Sequence, residues 1–282
     1  MTAADVGIRI VIAMHKAYSV PSDPMYLPMH VGAILGVPVQ REIITDSHRV
    51  MSWIGDDTGD NISFLNPHFC ELTGMYWAWR NLDSDYIGLV HYRRYFALPG
   101  KRGTREERII TGEELRPIIA AYPVIVPAKR RYYIETLYSH YEHTHGAVYL
   151  DRTREVIAAR CPEYLGAFDR TMGQRWGYMF NMMIMEREWL DRYCSWLFPI
   201  LFDLEAGSTR EEKLSAYDTR FYGRVSEIIF NVWLSYQQET GALKPEEIKE
   251  LPVVYMEHVN WLKKGSAFLK AKFFHVRYKS SF

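Results

Sequence analysis

Two short apolar, partly β-branched runs break off abruptly into polar residues: "IRIVIAMHK", Ile8 to Lys16, and "DYIGLVHYRRYF", Asp85 to Phe96. Such nearly continuous runs predict strands covered on both faces. Gly88 lets a neighbour approach the second one closely. Between the two, Pro21, Pro24, Pro28 and Pro38 predict loop, with at most a short helix around "MHVGAILG". "NPHFCELTGMYWAWRNL" places Phe69, Leu72, Tyr76, Trp77 and Trp79 at helical spacing behind an Asn66–Pro67 start signal, which predicts one helix packed on the second strand. Farther on, "YPVIVPA" predicts a strand and residues 135 to 145 a helix. "GYMFNMMIMERE" predicts a strand running into the helix "EWLDRYCSWLFPILFDLE", and a last helix spans about Asp218 to Tyr236 before the short apolar "LPVVYME". Strands and helices that alternate in this way predict an α/β fold. Neither an internal repeat nor a low-complexity linker divides the chain.

With 282 residues, 48% of them hydrophobic, the chain can bury a large core. Its 34 basic residues balance 34 acidic ones, which argues against a dedicated nucleic-acid binder, so any basic function is local. Cys70, Cys161 and Cys194 are too few and too scattered for a disulfide framework and fit a reducing compartment. No apolar run reaches spanning length and no secretory signal is legible, so a cytoplasmic location is expected. From Asn260 to Phe282 the composition turns basic and aromatic, with six Lys or Arg and no acid, as on a surface that meets anionic headgroups. The same aromatics could equally pack on the domain.

In a mostly parallel sheet the H-Y-R-R stretch falls at the carboxyl end of its strand, where open α/β folds keep their ligand crevices. Strict alternation would point Arg93 and Arg94 to opposite faces, so both reach one ligand only if the strand has already broken. Their guanidinium groups suit a phosphate, or else pair with structural carboxylates. The first strand is followed by neither G-x-G-x-x-G nor a P-loop, so dinucleotide and Walker-type binding lose support. "SHYEHTH" offers His140, His143 and His145, an incomplete zinc set.

"DNISFLNPHFCELTGMYWAWRNLDSDYIGLVHYRRYF", "YPVIVPAKRRYYIETLYSHYEHTH", "FNMMIMEREWLDRYCSWLF" and "GRVSEIIFNVW", in that order, resemble a bacterial family of once-uncharacterised domains assigned to capsular or exopolysaccharide biosynthesis as glycosyltransferases. Some relatives are galactofuranosyltransferases. The resemblance implies a GT-A-like single nucleotide-sugar-binding α/β domain, expected over residues 1 to 259, with a mixed, mostly parallel central sheet and a tail from 260 to 282. It implies a nucleotide-sugar donor, UDP-linked and UDP-galactofuranose among the choices, and a lipid-linked glycan acceptor at the inner membrane surface. It leaves a requirement for Mn²⁺ or Mg²⁺ open. The usual GT-A metal motif is D-x-D at a strand end, whereas Asp83-Ser84-Asp85 here precedes its strand.

On that resemblance His91, Arg93 and Arg94 are expected donor ligands, joined by Asp60, Asn61 and Ser63 of the polar loop "DDTGDNIS", with His15 and Lys16 added by location. His145, Asn181 and Trp77 are expected on the acceptor side. Glu227, read as standing in a first helical turn after Gly223 and Ser226, is the expected catalytic base, or else merely complements the positive helix end. Asp218 and Glu186 come next. Besides a transferase, a non-catalytic sugar-binding scaffold and a nucleotide-sugar phosphotransferase fit the same residues.

Overall fold

The computed structural model describes residues 6–36, 42–44, 50–207 and 220–257. In chain order the strands are β1 (Ile8–Met14), β2 (Tyr26–His30), β3 (Glu42–Ile44), β4 (Val50–Ser52), β5 (Ile54–Gly55), β6 (Tyr86–His91), β7 (Arg94–Phe96), β8 (Val124–Pro127), β9 (Arg130–Arg131), β10 (Trp176–Gly177), β11 (Met183–Glu186), β12 (Ile248–Leu251) and β13 (Val253–Tyr255). The helices are α1 (Asn66–Phe69), α2 (Leu72–Asn81), α3 (Arg105–Arg108), α4 (Gly112–Ile119), α5 (Leu137–His145), α6 (Val148–Arg160), α7 (Leu165–Met172), α8 (Arg187–Ala206) and α9 (Phe221–Glu239).

The central sheet has the order β12-β8-β11-β6-β1-β2-β5, and along that path β11 alone opposes its neighbours. The expected mixed, mostly parallel sheet is therefore present. Side chains alternate strictly across it. Val11, Ala13, Ile87, Leu89, Met183 and Met185 join the core under α2, α8 and α9, and Ile10, Ile12, Met14, Val90 and Ile184 join a second core on the opposite face. A sheet covered on both faces explains why its strands read as continuous apolar runs.

Gly88 is a close approach at the centre of that sheet. A Cβ there would lie 2.9 Å from both Ile184 Cγ1 and the Met183 carbonyl, and 3.2 Å from Ile10 Cγ1. Backbone cannot move aside as a side-chain end can, so Gly88→Ala is expected to destabilise by about 1–3 kcal/mol through overpacking. Thermal melting would show this as a midpoint several degrees lower, and an unchanged midpoint would mean that β11 can shift.

Three elements differ from expectation. The proline-rich segment contains β2, because Val31 N donates to Met14 O, and alternation then turns the Pro28 nitrogen away from β1, where no ladder bond is lost. The helix predicted from Asn66 is broken at Cys70, which has φ 52°, since Asn66 Nδ2 donates to the Cys70 carbonyl at 2.8 Å and ends the first turn. Near the amino end of α9, Gly223 already lies inside the helix and against Cys70, so Glu227 stands in the second turn and not the first. The proposed dipole role for Glu227 thereby loses its basis. Asp218 and the tail from 260 to 282 lie outside the described residues.

Candidate active site

The parallel strands β1 and β6 end side by side, Ala13 opposite His91, and beyond them opens a cavity of about 770 Å³. Arg93, Arg94, Arg130, Arg220 and Arg224 line it, against two carboxylates, Glu71 and Glu227.

The H-Y-R-R stretch resolves the alternation problem by turning. His91 pairs with Arg94 across a hairpin whose two central residues are Tyr92 and Arg93. Both arginines therefore reach the same cavity. The Arg93 guanidinium lies over the Tyr92 ring at 4.8 Å, and its Nε is 3.0 Å from Glu257 Oε1. Arg94 is held otherwise. Its guanidinium lies 4.4 Å from the Phe180 ring centroid and 5.8 Å from that of Tyr255, on β13, with no carboxylate paired to it among the described residues, and its buried Nε, like that of Arg93, has no hydrogen-bond partner. Packing over an aromatic face fixes a guanidinium without using up its N–H groups.

Phe180 ties this strand end to α9. It has φ 76° and Asn181 has φ 51°, two successive left-handed residues without glycine, a conformation that costs roughly 1–3 kcal/mol per residue and persists where surrounding contacts enforce it. Such contacts surround Phe180 and Asn181 here. His91 Nε2 donates to the Phe180 carbonyl at 2.5 Å, and the Phe180 backbone hydrogen-bonds the Glu227 carboxylate. Asn181 Nδ2 donates to Glu71 Oε1 at 2.8 Å and to the Gly223 carbonyl at 2.9 Å, and Ser226 Oγ donates to Asn181 Oδ1. The break after α1 is what turns Glu71 toward this network.

Stacking of Tyr222 on Phe69, with centroids 4.8 Å apart, and of Phe221 on Tyr149 at 4.0 Å anchors the start of α9. Arg220, Arg224 and Glu227 follow one helical face from there to the cavity. Glu227 is only half-buried by solvent contact because it opens onto the cavity, yet protein surrounds it. Burial first, and the nearby Glu71 charge second, push its carboxyl up to about 7 from an ordinary 4.5, against the opposing pull of Arg94 and Arg130. The cavity's imidazoles shift the other way. Burial lowers His15, His91, His140 and His145, with His145 held down to about 3 by burial and by Arg224, whose guanidinium is 3.2 Å from its Nδ1. At neutral pH these rings are uncharged. Just before α5, the buried carboxylate of Glu135 accepts from His140 Nδ1 at 2.8 Å and from His143 Nδ1 at 2.9 Å, which orients the His140 ring at the cavity wall.

Of the residues expected from sequence, the cavity gathers His15, His91, Arg93, Arg94, His145 and Glu227. Asn181 stands just behind it. Lys16 places its ammonium over the Tyr18 ring at 5.2 Å and is not among the lining residues. The polar loop has protein partners of its own: Asp60 pairs with Arg80 at 2.6 Å, Asn61 bridges Gly59 and Ser63, and Ser63 Oγ donates to the buried Asp56. Trp77 Nε1 likewise donates to Thr58 at the same loop. Asp60, Asn61 and Ser63 build the loop and Trp77 ties it to α2, and the loop's residue types are equally those of a self-satisfied turn. Glu186 pairs with Tyr86, at the far end of β6 from the cavity. The sequence pattern did not single out Glu71, Arg130, Arg220 or Arg224, and it raised His140 only as part of an incomplete zinc set. "VIVPAKRR" repeats the pattern of an apolar strand ending in arginines, and the spacing of Arg220, Arg224 and Glu227 was a legible helical face.

A match to the solved apo structure of the WbbM bifunctional glycosyltransferase has a TM-score of 0.77 and 27% identity and covers 89% of this chain. It covers 46% of that chain, so this protein spans about half its length. No curated protein matches the sequence. The fold is GT-A-like, as the sheet and the WbbM likeness together show. Residues 9–238 match the profile of the family described as "Domain of unknown function (DUF4422)", and the chain belongs to that family.

Proposed function

We propose that the protein is a glycosyltransferase that takes a sugar from a nucleoside diphosphate donor, UDP-linked, and adds it with inversion to a growing lipid-linked surface polysaccharide. The observation that carries this reading is a cavity at the carboxyl ends of parallel strands in which five arginines face a carboxylate with a pKa near 7. Glu227 takes the proton from the acceptor hydroxyl. The hydroxyl oxygen bonds to the anomeric carbon, the bond from that carbon to the donor phosphate breaks, and the arginines receive the negative charge that leaves with the diphosphate. Tyr18 and Tyr92, stacked at 3.8 Å beside His15, offer an aromatic platform for the base. His145 and the His140 side of α5 serve the acceptor. A scaffold that only held a glycan would have no use for a base poised near neutrality. Incubation with a panel of UDP-sugars, UDP-galactofuranose included, and a glycan primer tests the reading: transfer of one sugar supports it, and inert donors throughout would remove it.

We propose that the tail docks on the membrane. Among the described residues no helix is long and apolar enough to cross a bilayer, but six cations between 260 and 282, at about 1 kcal/mol each near an anionic leaflet, suffice for reversible docking at the inner membrane surface. Truncation after residue 259 is expected to abolish co-sedimentation with anionic liposomes while leaving the melting temperature unchanged. A truncated protein that melts normally and still sediments would exclude the tail as anchor.

A further inference from the structure

GT-A folds commonly hold the donor diphosphate through a divalent cation on a D-x-D pair, and the side chains of this cavity do not fit one. Asp83 and Asp85 precede β6, and Asp85 Oδ2 accepts the Gly7 N–H at 2.7 Å. Six strand residues at about 3.3 Å each separate them from the cavity end, too far for any shared ligand. At the strand end stands His91, with its Nε2 committed to the Phe180 carbonyl. Of the two carboxylates in the lining, Glu71 is tied to Asn181 and Glu227 to the Phe180 backbone. Among the described residues no three His, Cys, Asp or Glu side chains converge on a cation position.

What the cavity offers is cationic. Five guanidiniums face Glu71 and a Glu227 that is only partly ionised near pH 7, so with the imidazoles uncharged the lining carries an excess of at least three positive charges. A departing nucleoside diphosphate brings about three negative charges. The arginines come from three separate parts of the chain: the β6–β7 hairpin, β9 and the start of α9. The buried, unpartnered Nε of Arg94 points to a ligand that supplies acceptor oxygens. A dication in such a surrounding meets repulsion where the diphosphate meets attraction.

We propose that the guanidinium groups of this cavity hold and neutralise the donor diphosphate by themselves, in the place where GT-A enzymes use a divalent cation. This rests on the nucleotide-sugar reading above. Calorimetry on the full chain, with UDP and separately with inorganic pyrophosphate, in EDTA and then in millimolar Mg²⁺ or Mn²⁺, tests it. The expected result is an affinity in EDTA equal to or better than that with cation, within about threefold. The variant R130A should bind both anions more weakly, with no recovery on adding cation. Binding of either anion that appears only with cation, or tightens tenfold or more on adding it, overturns the proposal while the nucleotide-sugar reading stands. Pyrophosphate binding in EDTA without any UDP binding leaves the arginine site standing and removes the nucleotide. Failure of both anions under all conditions overturns both.

Discussion

Glu227→Gln is expected to cut sugar transfer at least about a hundredfold, the low end of what a positioned base contributes, while UDP binding survives. Gln keeps the shape and one acceptor oxygen for the Phe180 backbone but cannot take a proton. At pH 8, where the wild-type carboxylate is charged and repels the diphosphate, the variant should bind UDP as well as wild type or better. The wild-type rate should rise with pH through about 7, as Glu227 ionises, and the variant's residual rate should lack that limb. A variant with near-normal turnover would move the base elsewhere, and the Glu135-oriented His140 is then the first residue to test.

The same residue links activity to stability. Its carboxyl is raised in the folded protein, so between pH 4.5 and about 7 the native state binds more protons than the unfolded chain. Stability contributed by the neutral form is complete below pH 4.5 and is lost as pH rises toward 7, an effect of about 3 kcal/mol. Glu227→Gln removes that loss. Its melting temperature should therefore exceed wild type by several degrees at pH 7.5 and match it near pH 4.5.

The strand ends were legible in the sequence because sheet burial forces apolar continuity, so the point where it stops marks the crevice. "DYIGLVHYRRYF" gave away β6, and only the two-residue turn at Tyr92 and Arg93 was needed to bring both arginines to one side. The polar loop from Asp56 to Ser63 was misleading for a physical reason. Asp, Asn and Ser satisfy their own backbone as readily as a ligand, and composition cannot tell which; here Asp56 is fully buried, accepting from Gly32, Ala33, Ser63 and Thr73. Glu71 was hidden by its position in a predicted continuous helix. Its role depends on the break at Cys70, which is set by an Asn66 side-chain bond and by packing against Gly223, more than 150 residues away. Long-range contacts of this kind leave no periodic trace.

Arg94→Ala is expected to weaken UDP binding more than Arg93→Ala does, because the two guanidiniums are held differently. Arg93 has Glu257 beside it, so a bound phosphate must share or displace an existing ion pair. Arg94 makes no ion pair among the described residues: it lies over the Phe180 ring with Tyr255 beside it, its Nε buried without a hydrogen-bond partner. A charge-assisted hydrogen bond lost from such a place is worth about 1.5–3 kcal/mol, or roughly 10- to 150-fold in affinity. Arg94→Lys should recover little of it, since an ammonium neither stacks flat on a ring nor presents two N–H groups in one plane. Calorimetry with UDP on the three variants, beside melting curves that confirm the fold, decides the matter. Equal losses for Arg93→Ala and Arg94→Ala would mean that the Glu257 pair does not compete with the ligand, and unchanged affinity in both would reduce the hairpin arginines to structural roles.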